Sequence, residues 1–155
     1  MKIIDRLLED KIHISFEVFP PKTDAGYEKV RSATEQIAGL HPSYISVTYG
    51  AGGGTSKNTA KIASYIRDEL GVESLAHLTC ASSTKAEVQT VIENLKALGI
   101  ENILALRGDI PEGMVFPSED RYHYAYELVE AIRRSGDFCI GAACYPEGHV
   151  ENEHK

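Results

Sequence analysis

Five short apolar stretches of this chain each end in residues that can do chemistry. Glu17 supplies a carboxylate that can act as a general acid, and His77 supplies an imidazole. Arg107-Gly108-Asp109 joins a phosphate-gripping cation to a carboxylate that can accept hydrogen bonds from a heterocycle. The remaining endings are the glycine-rich segment 48–54 and Tyr145-Pro146-Glu147. If the stretches are parallel strands, all five endings share the rim where α/β proteins bind ligands, which indicates an enzyme.

The elements that must position these groups alternate along the chain. Apolar, β-rich stretches predict five strands at 12–19, 44–49, 74–79, 102–106 and 138–143. Apolar residues at helical spacing fill the intervals, most clearly between Thr84 and Gly99. A short helix over 2–10 is predicted as a lid before the first strand. Residues that can cap a helix precede three of the helical stretches: Thr23 or Asp24, Thr55 or Ser56, and Thr84.

This β–α unit recurs at intervals of roughly thirty residues, which is typical of the α/β class with parallel strands. The chain has 155 residues, enough for one domain, and we expect a single domain over 1–155. Two architectures fit the order of elements. One is an open, doubly wound five-stranded sheet, and the other is the first five strands of an eight-stranded β/α barrel, cut after the fifth strand.

Composition excludes several classes of function. The formal charge is −7 and the sequence contains no basic run, so nucleic acid and anionic membranes are poor partners. Charges interrupt every apolar segment near the amino terminus, which argues against a signal peptide, and no segment has the length of a membrane span. Cys80, Cys139 and Cys144 lack metal-knuckle spacing, and we expect reduced thiols, mostly small buried residues, in a cytoplasmic protein. No metal site is predicted.

Each candidate site residue also has an ordinary structural interpretation. Glu17 lies among Phe16, Val18 and Phe19, which predicts a raised pKa and an acid role, although a strand-end ion pair fits equally well. The glycine-rich segment can cradle an anion or form a flexible turn. Arg107-Gly108-Asp109 can bind a ligand or form a surface ion pair, and a lone histidine such as His77 is more often a hydrogen-bonded core residue. Tyrosines can stack on a planar ligand or pack on a helix: Tyr122, Tyr124, Tyr126 and Tyr145.

Taken together, five collinear motifs along nearly the whole chain resemble the flavin-dependent bacterial type of methylenetetrahydrofolate reductase. They are Ile14-Ser15-Phe16-Glu17-Val18-Phe19-Pro20-Pro21-Lys22, Ser46-Val47-Thr48-Tyr49-Gly50-Ala51, Ala76-His77-Leu78-Thr79-Cys80, Ala105-Leu106-Arg107-Gly108-Asp109-Ile110-Pro111 and Ala142-Ala143-Cys144-Tyr145-Pro146-Glu147-Gly148-His149. The resemblance implies an eight-stranded β/α barrel with FAD bound at the carboxyl-terminal rim. It also implies that NAD(P)H reduces FAD and that 5,10-methylenetetrahydrofolate then becomes 5-methyltetrahydrofolate.

The resemblance also implies a role for individual residues. Glu17 would be the general acid that opens the five-membered ring of the folate, and Asp109 would lie near the flavin pyrimidine edge and the pterin. Thr48, Tyr49 and Ala51 would line the nicotinamide and flavin site. The remaining residues implied to hold FAD are His77, Arg107, Gly108, Tyr124, Ala125, Tyr145 and His149. A homo-oligomer is expected.

The sequence departs from the family pattern in one large respect. Family members continue through three more strands, which carry further cofactor and folate contacts. Two alternatives therefore stay open beside the reductase. One is a non-catalytic half-barrel that completes its sheet by self-association or with a partner chain. The other is a β/α enzyme that uses Glu17 and Asp109 on a phosphorylated or pterin substrate without flavin.

Overall fold

The computed structural model describes residues 1–21, 26–49 and 56–148. The strands are β1 (Ser15–Val18), β2 (Tyr44–Val47), β3 (Ser74–Thr79), β4 (Asn102–Leu106) and β5 (Cys139–Ala142). The helices are α1 (Ile3–Leu7), α2 (Tyr27–Ala38), α3 (Ser56–Asp68), α4 (Lys85–Ala97) and α5 (Ala125–Ser135).

The strands form one parallel sheet whose spatial order, β1-β2-β3-β4-β5, is also the sequence order. A doubly wound sheet reverses its strand order at a switch point, whereas a β/α barrel adds each strand beside the previous one. The order therefore fits the first five strands of a barrel, and the open doubly wound alternative is wrong.

The two faces of the sheet differ in burial. The helix-covered face carries fully buried aliphatic residues: Ile45, Val47, Ala76, Leu78, Ile103 and Ala105. The opposite face carries Leu75, Leu104 and Leu106, which remain partly accessible. In a closed barrel this second face would be the interior. It carries the side chains of Glu17, Ser46 and His77, because they alternate with the buried set along their strands.

Strand limits follow pairing rather than hydrophobicity. The predicted limits of β3 and β4 are confirmed. The first strand was predicted over 12–19, but β1 pairs with β2 alone and its ladder runs from Ser15 opposite Tyr44 to Val18 opposite Val47. The predictions for β2 and β5 were also too long, by two residues for β2 and by one residue at each end for β5.

The predicted N-cap of α4, Thr84, is confirmed, and Thr84 forms a complete capping box with Glu87. Thr84 Oγ1 accepts a hydrogen bond from the Glu87 backbone N–H at 3.2 Å, and the Glu87 carboxylate accepts one from the Thr84 N–H at 2.7 Å. Helix α2 has Gly26 at its N-cap position without a side-chain hydrogen bond, and the predicted caps Thr23 and Asp24 lie outside the described residues. Helix α3 begins at Ser56, and Thr55 lies outside the described residues.

Helix α1 covers the amino-terminal end of the sheet. The Ile3 backbone N–H donates to Asn102 Oδ1 at 2.8 Å, and Asn102 is the first residue of β4. Asn102 Nδ2 donates in turn to the carbonyls of Met1 and Ser74. The predicted lid is therefore shorter than 2–10 and lies opposite the rim that carries the chemistry. Of the helices in the described part of the chain, none has the length and apolar character needed to cross a bilayer.

Candidate active site

Glu17 lies on the partly accessible face of β1, with its carboxylate held from the neighbouring strands. Ser46 Oγ, on β2, donates a hydrogen bond to Glu17 Oε2 at 3.1 Å. His77 Nε2, on β3, lies 3.4 Å from the same oxygen. Both contacting residues are buried, whereas the Glu17 side chain is 45% exposed. Three adjacent strands thus present one accessible carboxyl group at the rim.

The expected burial of Glu17 among aromatic and aliphatic neighbours is wrong. Phe16 and Val18 flank Glu17 in sequence, but successive side chains of a strand point to opposite faces, so they lie on the helix side of the sheet. Phe19 is itself exposed. The environment of Glu17 is therefore a polar cluster open to solvent, and the argument from an apolar pocket does not hold.

His77 is the buried titratable group of this cluster. Its desolvation lowers its pKa, and the nearby Glu17 carboxylate opposes that effect more weakly. Nε2 has no hydrogen-bond partner among the described residues, so the 3.4 Å approach to Glu17 is a close electrostatic contact rather than an aligned hydrogen bond. The imidazole is therefore held in its neutral form near neutral pH.

A second group of predicted residues surrounds a cleft of about 520 Å³ beyond the carboxyl ends of β4 and β5. The predicted residues that line it are Arg107, Gly108, Asp109, Tyr124, Ala125 and Tyr145. Its lining is completed by Leu106, Tyr126, Val129, Ala142 and Ala143. The cleft therefore combines aromatic and aliphatic walls with one cation and one carboxylate, a mixture typical of small-molecule and cofactor sites.

The turn after β4 is fixed by its backbone. The Arg107 carbonyl accepts hydrogen bonds from the backbone N–H groups of Cys80 at 3.1 Å and Ala81 at 2.9 Å. Gly108 follows with φ of +77°, a conformation that favours glycine. Asp109 is then exposed at the mouth of the cleft. The connection after β3 thus holds Arg107, Gly108 and Asp109 in place.

The aromatic wall of the cleft is built at the start of α5. The rings of Tyr124 and Tyr126 lie parallel within 14°, with centroids 6.1 Å apart. The Glu127 carboxylate accepts a hydrogen bond from the Tyr124 backbone N–H at 2.9 Å and one from the His123 N–H at 2.6 Å, which fixes the start of the helix. Tyr126 is thus a cleft residue beside the predicted Tyr124, while Tyr122 packs against the core.

The other predicted site residues are not part of the cleft lining. The Thr48 N–H donates to the Val18 carbonyl, and the Thr48 carbonyl accepts from Thr59 Oγ1, so this backbone joins β1, β2 and α3. Tyr49 packs against the hydrophobic core. Ala51 and His149 lie outside the described residues.

The cysteines are free, as expected, but they differ in exposure. Cys80 is buried, Cys139 is intermediate and Cys144 is exposed, so the prediction of mostly buried thiols is confirmed for Cys80 alone. Burial raises the pKa of the Cys80 thiol to about 11. No cluster of three potential metal ligands is found in the described ranges 1–21, 26–49 and 56–148.

Ser46 was not predicted as a residue of the site. The available signal was a hydroxyl in the middle of an apolar strand, at the position that pairs with Glu17 in a parallel ladder. A polar residue in such a place needs a hydrogen-bond partner, and the neighbouring carboxylate provides one. The pairing register, which hydrophobic pattern alone does not supply, was the missing information.

The sheet order, the covering helices and the polar rim define a partial β/α-barrel protein with a candidate active site at the carboxyl ends of its strands. A family model described as methylenetetrahydrofolate reductase matches residues 2–155. This chain belongs to the methylenetetrahydrofolate reductase family.

Curated relatives agree with this assignment. The 5,10-methylenetetrahydrofolate reductase of Escherichia coli K12 is 38% identical over 144 residues, which is 93% of this chain and 47% of that protein. The same-named protein of Pectobacterium carotovorum is 37% identical with the same coverage. Methylenetetrahydrofolate reductase (NADH) 1 of Zea mays is 38% identical over 97% of this chain and 27% of its own length. The chain thus spans about half or less of these relatives.

Proposed function

We propose that this chain forms the amino-terminal part of a catalytic barrel that reduces 5,10-methylenetetrahydrofolate to 5-methyltetrahydrofolate with NAD(P)H through FAD. Family membership supports the reaction class. The observation that carries the proposal is the accessible Glu17 carboxyl group, anchored by Ser46 at the rim of the sheet. Three unpaired cysteines favour a reducing compartment, and we therefore propose a cytoplasmic location.

In this proposal Glu17 and Asp109 act on the folate and its surroundings. Glu17 donates the proton that opens the five-membered ring of the substrate. Ring opening makes the bridging methylene carbon electrophilic, so that it can accept hydride. Its accessible position suits a group that must exchange a proton with substrate and then with water. Asp109, exposed at the mouth of the cleft, accepts hydrogen bonds from the pterin or the flavin edge.

The cleft residues fit FAD. Arg107 provides a cation for the pyrophosphate, Gly108 leaves the backbone accessible, and Tyr124 supplies an aromatic face for a planar ring. Ala125 and Tyr145 line the same cleft, and we propose that His77, Thr48, Tyr49, Ala51 and His149 complete the cofactor and nicotinamide contacts. When bound, FAD supplies the capacity to take hydride from NAD(P)H and pass it to the folate.

The direct test is an FAD titration of the purified chain, followed by quenching of flavin fluorescence. We expect saturable binding that weakens about tenfold or more in Arg107→Ala, because hydrogen bonds between charged groups contribute roughly 1.5–3 kcal/mol. Arg133→Ala is the matched control, since Arg133 is an exposed cation on α5 outside the cleft. Equal affinities for both variants would show that the cleft does not hold the cofactor.

A second candidate function is a half-barrel that completes its sheet with another copy of itself. Exposed aliphatic residues near the start of β1 favour it: Ile12, Ile14 and Leu40 line one groove with Phe16, and the polar residues of that groove are Arg6, Lys11, His41 and Ser43. Exposed apolar surface of this kind marks interfaces. In this candidate the expected homo-oligomer would form through this groove.

Sedimentation velocity distinguishes this candidate. Self-association through the groove predicts a concentration-dependent dimer that Ile14→Lys abolishes. Val115→Lys should leave the dimer intact, because Val115 is an even more exposed aliphatic residue outside the groove. A monomer at all concentrations would contradict self-association. A protein that associates without binding FAD or turning over folate would favour the half-barrel over the reductase.

A further inference from the structure

The Glu17 carboxyl group is contacted asymmetrically, because both neighbouring polar side chains reach the same oxygen. Ser46 Oγ lies 3.1 Å and His77 Nε2 lies 3.4 Å from Glu17 Oε2. The Ser46 hydroxyl has a second acceptor within range, the Phe16 carbonyl, but that distance is 3.5 Å. Since a hydroxyl carries one proton, the shorter contact identifies the carboxylate as its acceptor.

We propose that Ser46 is a positioning residue whose hydrogen bond holds Glu17 Oε2 against the buried His77 ring, so that Oε1 is the oxygen that exchanges a proton with the substrate. This inference rests on the proposed function and deepens it. A carboxyl oxygen that already accepts a hydrogen bond is the poorer place for the acidic proton, so the proton is directed to the other oxygen.

The burial of Ser46 and His77 supports the inference that Ser46 orients Glu17 and not the reverse. Ser46 and His77 are 7% and 8% exposed, so packing fixes them, while the carboxylate that they contact is accessible. An accessible glutamate samples several rotamers unless a fixed group holds it. The geometry is therefore that of a fixed hydroxyl donor, beside a buried imidazole, orienting an accessible acid.

The charge state of His77 matters to the same function. A protonated imidazole 3.4 Å from the carboxylate would stabilise its ionised form and oppose proton delivery. Desolvation lowers the pKa of His77, which keeps the imidazole neutral. On the sheet face that carries His77, the neighbouring residues of β4 and β5 are Leu104 and Gly141, which have no charge. The first charged residues after β4 in the sequence are Arg107 and Asp109. His77 is thus the titratable side chain with a defined contact to Glu17.

The test is an NMR titration of the His77 Cε1–H signal in the purified chain, combined with Cβ–Cγ rotamer couplings of Glu17. Glu17→Gln removes the carboxylate, and we expect the His77 midpoint to fall by roughly half a unit to one unit. Ser46→Ala should lower the midpoint in the same direction and average the Glu17 rotamers, because the carboxylate is released. Ser46→Thr keeps the hydroxyl and should restore both readouts.

Ser43→Ala is the matched control. Ser43 Oγ lies 3.0 Å from His13 Nδ1, so this variant also removes a hydroxyl beside an imidazole, just before β2 rather than at the rim. It should affect His13 signals and leave the His77 midpoint and Glu17 rotamers unchanged. An unchanged His77 midpoint and unaltered Glu17 rotamers in Ser46→Ala would overturn the proposal. Neither readout needs FAD or folate, so failure of the reductase function is detected separately by the FAD titration.

Discussion

Gly108 lies so close to Thr79 that a Cβ atom added to the glycine would be 2.8 Å from the Thr79 Cβ. This contact joins the turn after β4 to the end of β3, and it lies beside the cleft. Gly108 also has φ of +77°. Two independent constraints, backbone conformation and lack of space, therefore require glycine at this position.

We expect Gly108→Ala to lower the free energy of unfolding by more than the roughly 1–2 kcal/mol that a left-handed conformation costs a non-glycine residue. Gly113→Ala is the matched control, because Gly113 has φ of +79° but nothing within 4 Å of the added Cβ. Urea denaturation of both variants measures the difference. If the two variants lose equal stability, the close contact with Thr79 has no energetic consequence.

The three thiols should react with alkylating reagents at different rates. Cys144 is exposed and should react first, Cys139 should follow, and Cys80 should be nearly inert because burial raises its pKa to about 11. Mass spectrometry of iodoacetamide-treated protein measures the order. Cys144 lies between the cleft residues Ala143 and Tyr145, so FAD should also slow its alkylation. Fast labelling of Cys80 in the folded protein would contradict the described burial.

The stability of the protein should depend on pH through His77. Folding lowers the pKa of His77 from its ordinary value of 6.5, so the unfolded state binds more protons between the lowered value and 6.5. The contribution of neutral His77 is therefore fully present above pH 6.5 and is lost as the pH falls through that window. His77→Gln should flatten this part of the stability profile.

The profile is measured by urea denaturation at several pH values between 5 and 8, the range in which histidine titrates. His41→Asn is a suitable control, since His41 is exposed and its φ of 54° is tolerated by asparagine. That variant should keep the loss of stability below pH 6.5, because it leaves His77 unchanged. A profile of His77→Gln that keeps the wild-type slope below pH 6.5 would exclude His77 as the responsible group.

The fold could be predicted from the sequence where local and tertiary signals coincide. Ser74–Thr79 and Asn102–Leu106 are central strands whose apolar limits equal their pairing limits, and Thr84 with Glu87 forms a complete capping box. The strands β1, β2 and β5 were predicted too long because the end of a strand depends on its pairing as well as on its own residues. The lid helix was predicted, but its position was not, because contacts with Asn102 determine where it lies.

The site could be predicted in part for the same physical reason. Parallel topology brings the residues that flank the ends of strands and helices to one cleft. These residues are Arg107, Gly108, Asp109 and Tyr124. The environment of Glu17 could not be read from Phe16 and Val18, because side chains that are neighbours in a strand face opposite ways. Its actual neighbours, Ser46 and His77, come from other strands and depend on the register.

Glu17→Gln should separate the two halves of the proposed reaction. The amide retains the shape of the carboxyl group and an oxygen that can accept from Ser46, but it has no acidic proton. In the FAD-loaded protein we expect folate reduction to fall by about 10²–10⁴-fold, the usual contribution of general acid catalysis, with reduction of FAD by NADH nearly unchanged. Stopped-flow absorbance of the flavin measures each half-reaction separately. Glu130→Gln, on an exposed residue of α5, is the matched control and should leave both rates unchanged. An acid that serves only the folate has no proton to give while NADH transfers hydride to FAD. A parallel loss of both half-reactions in Glu17→Gln would therefore show that Glu17 supports cofactor binding rather than proton delivery.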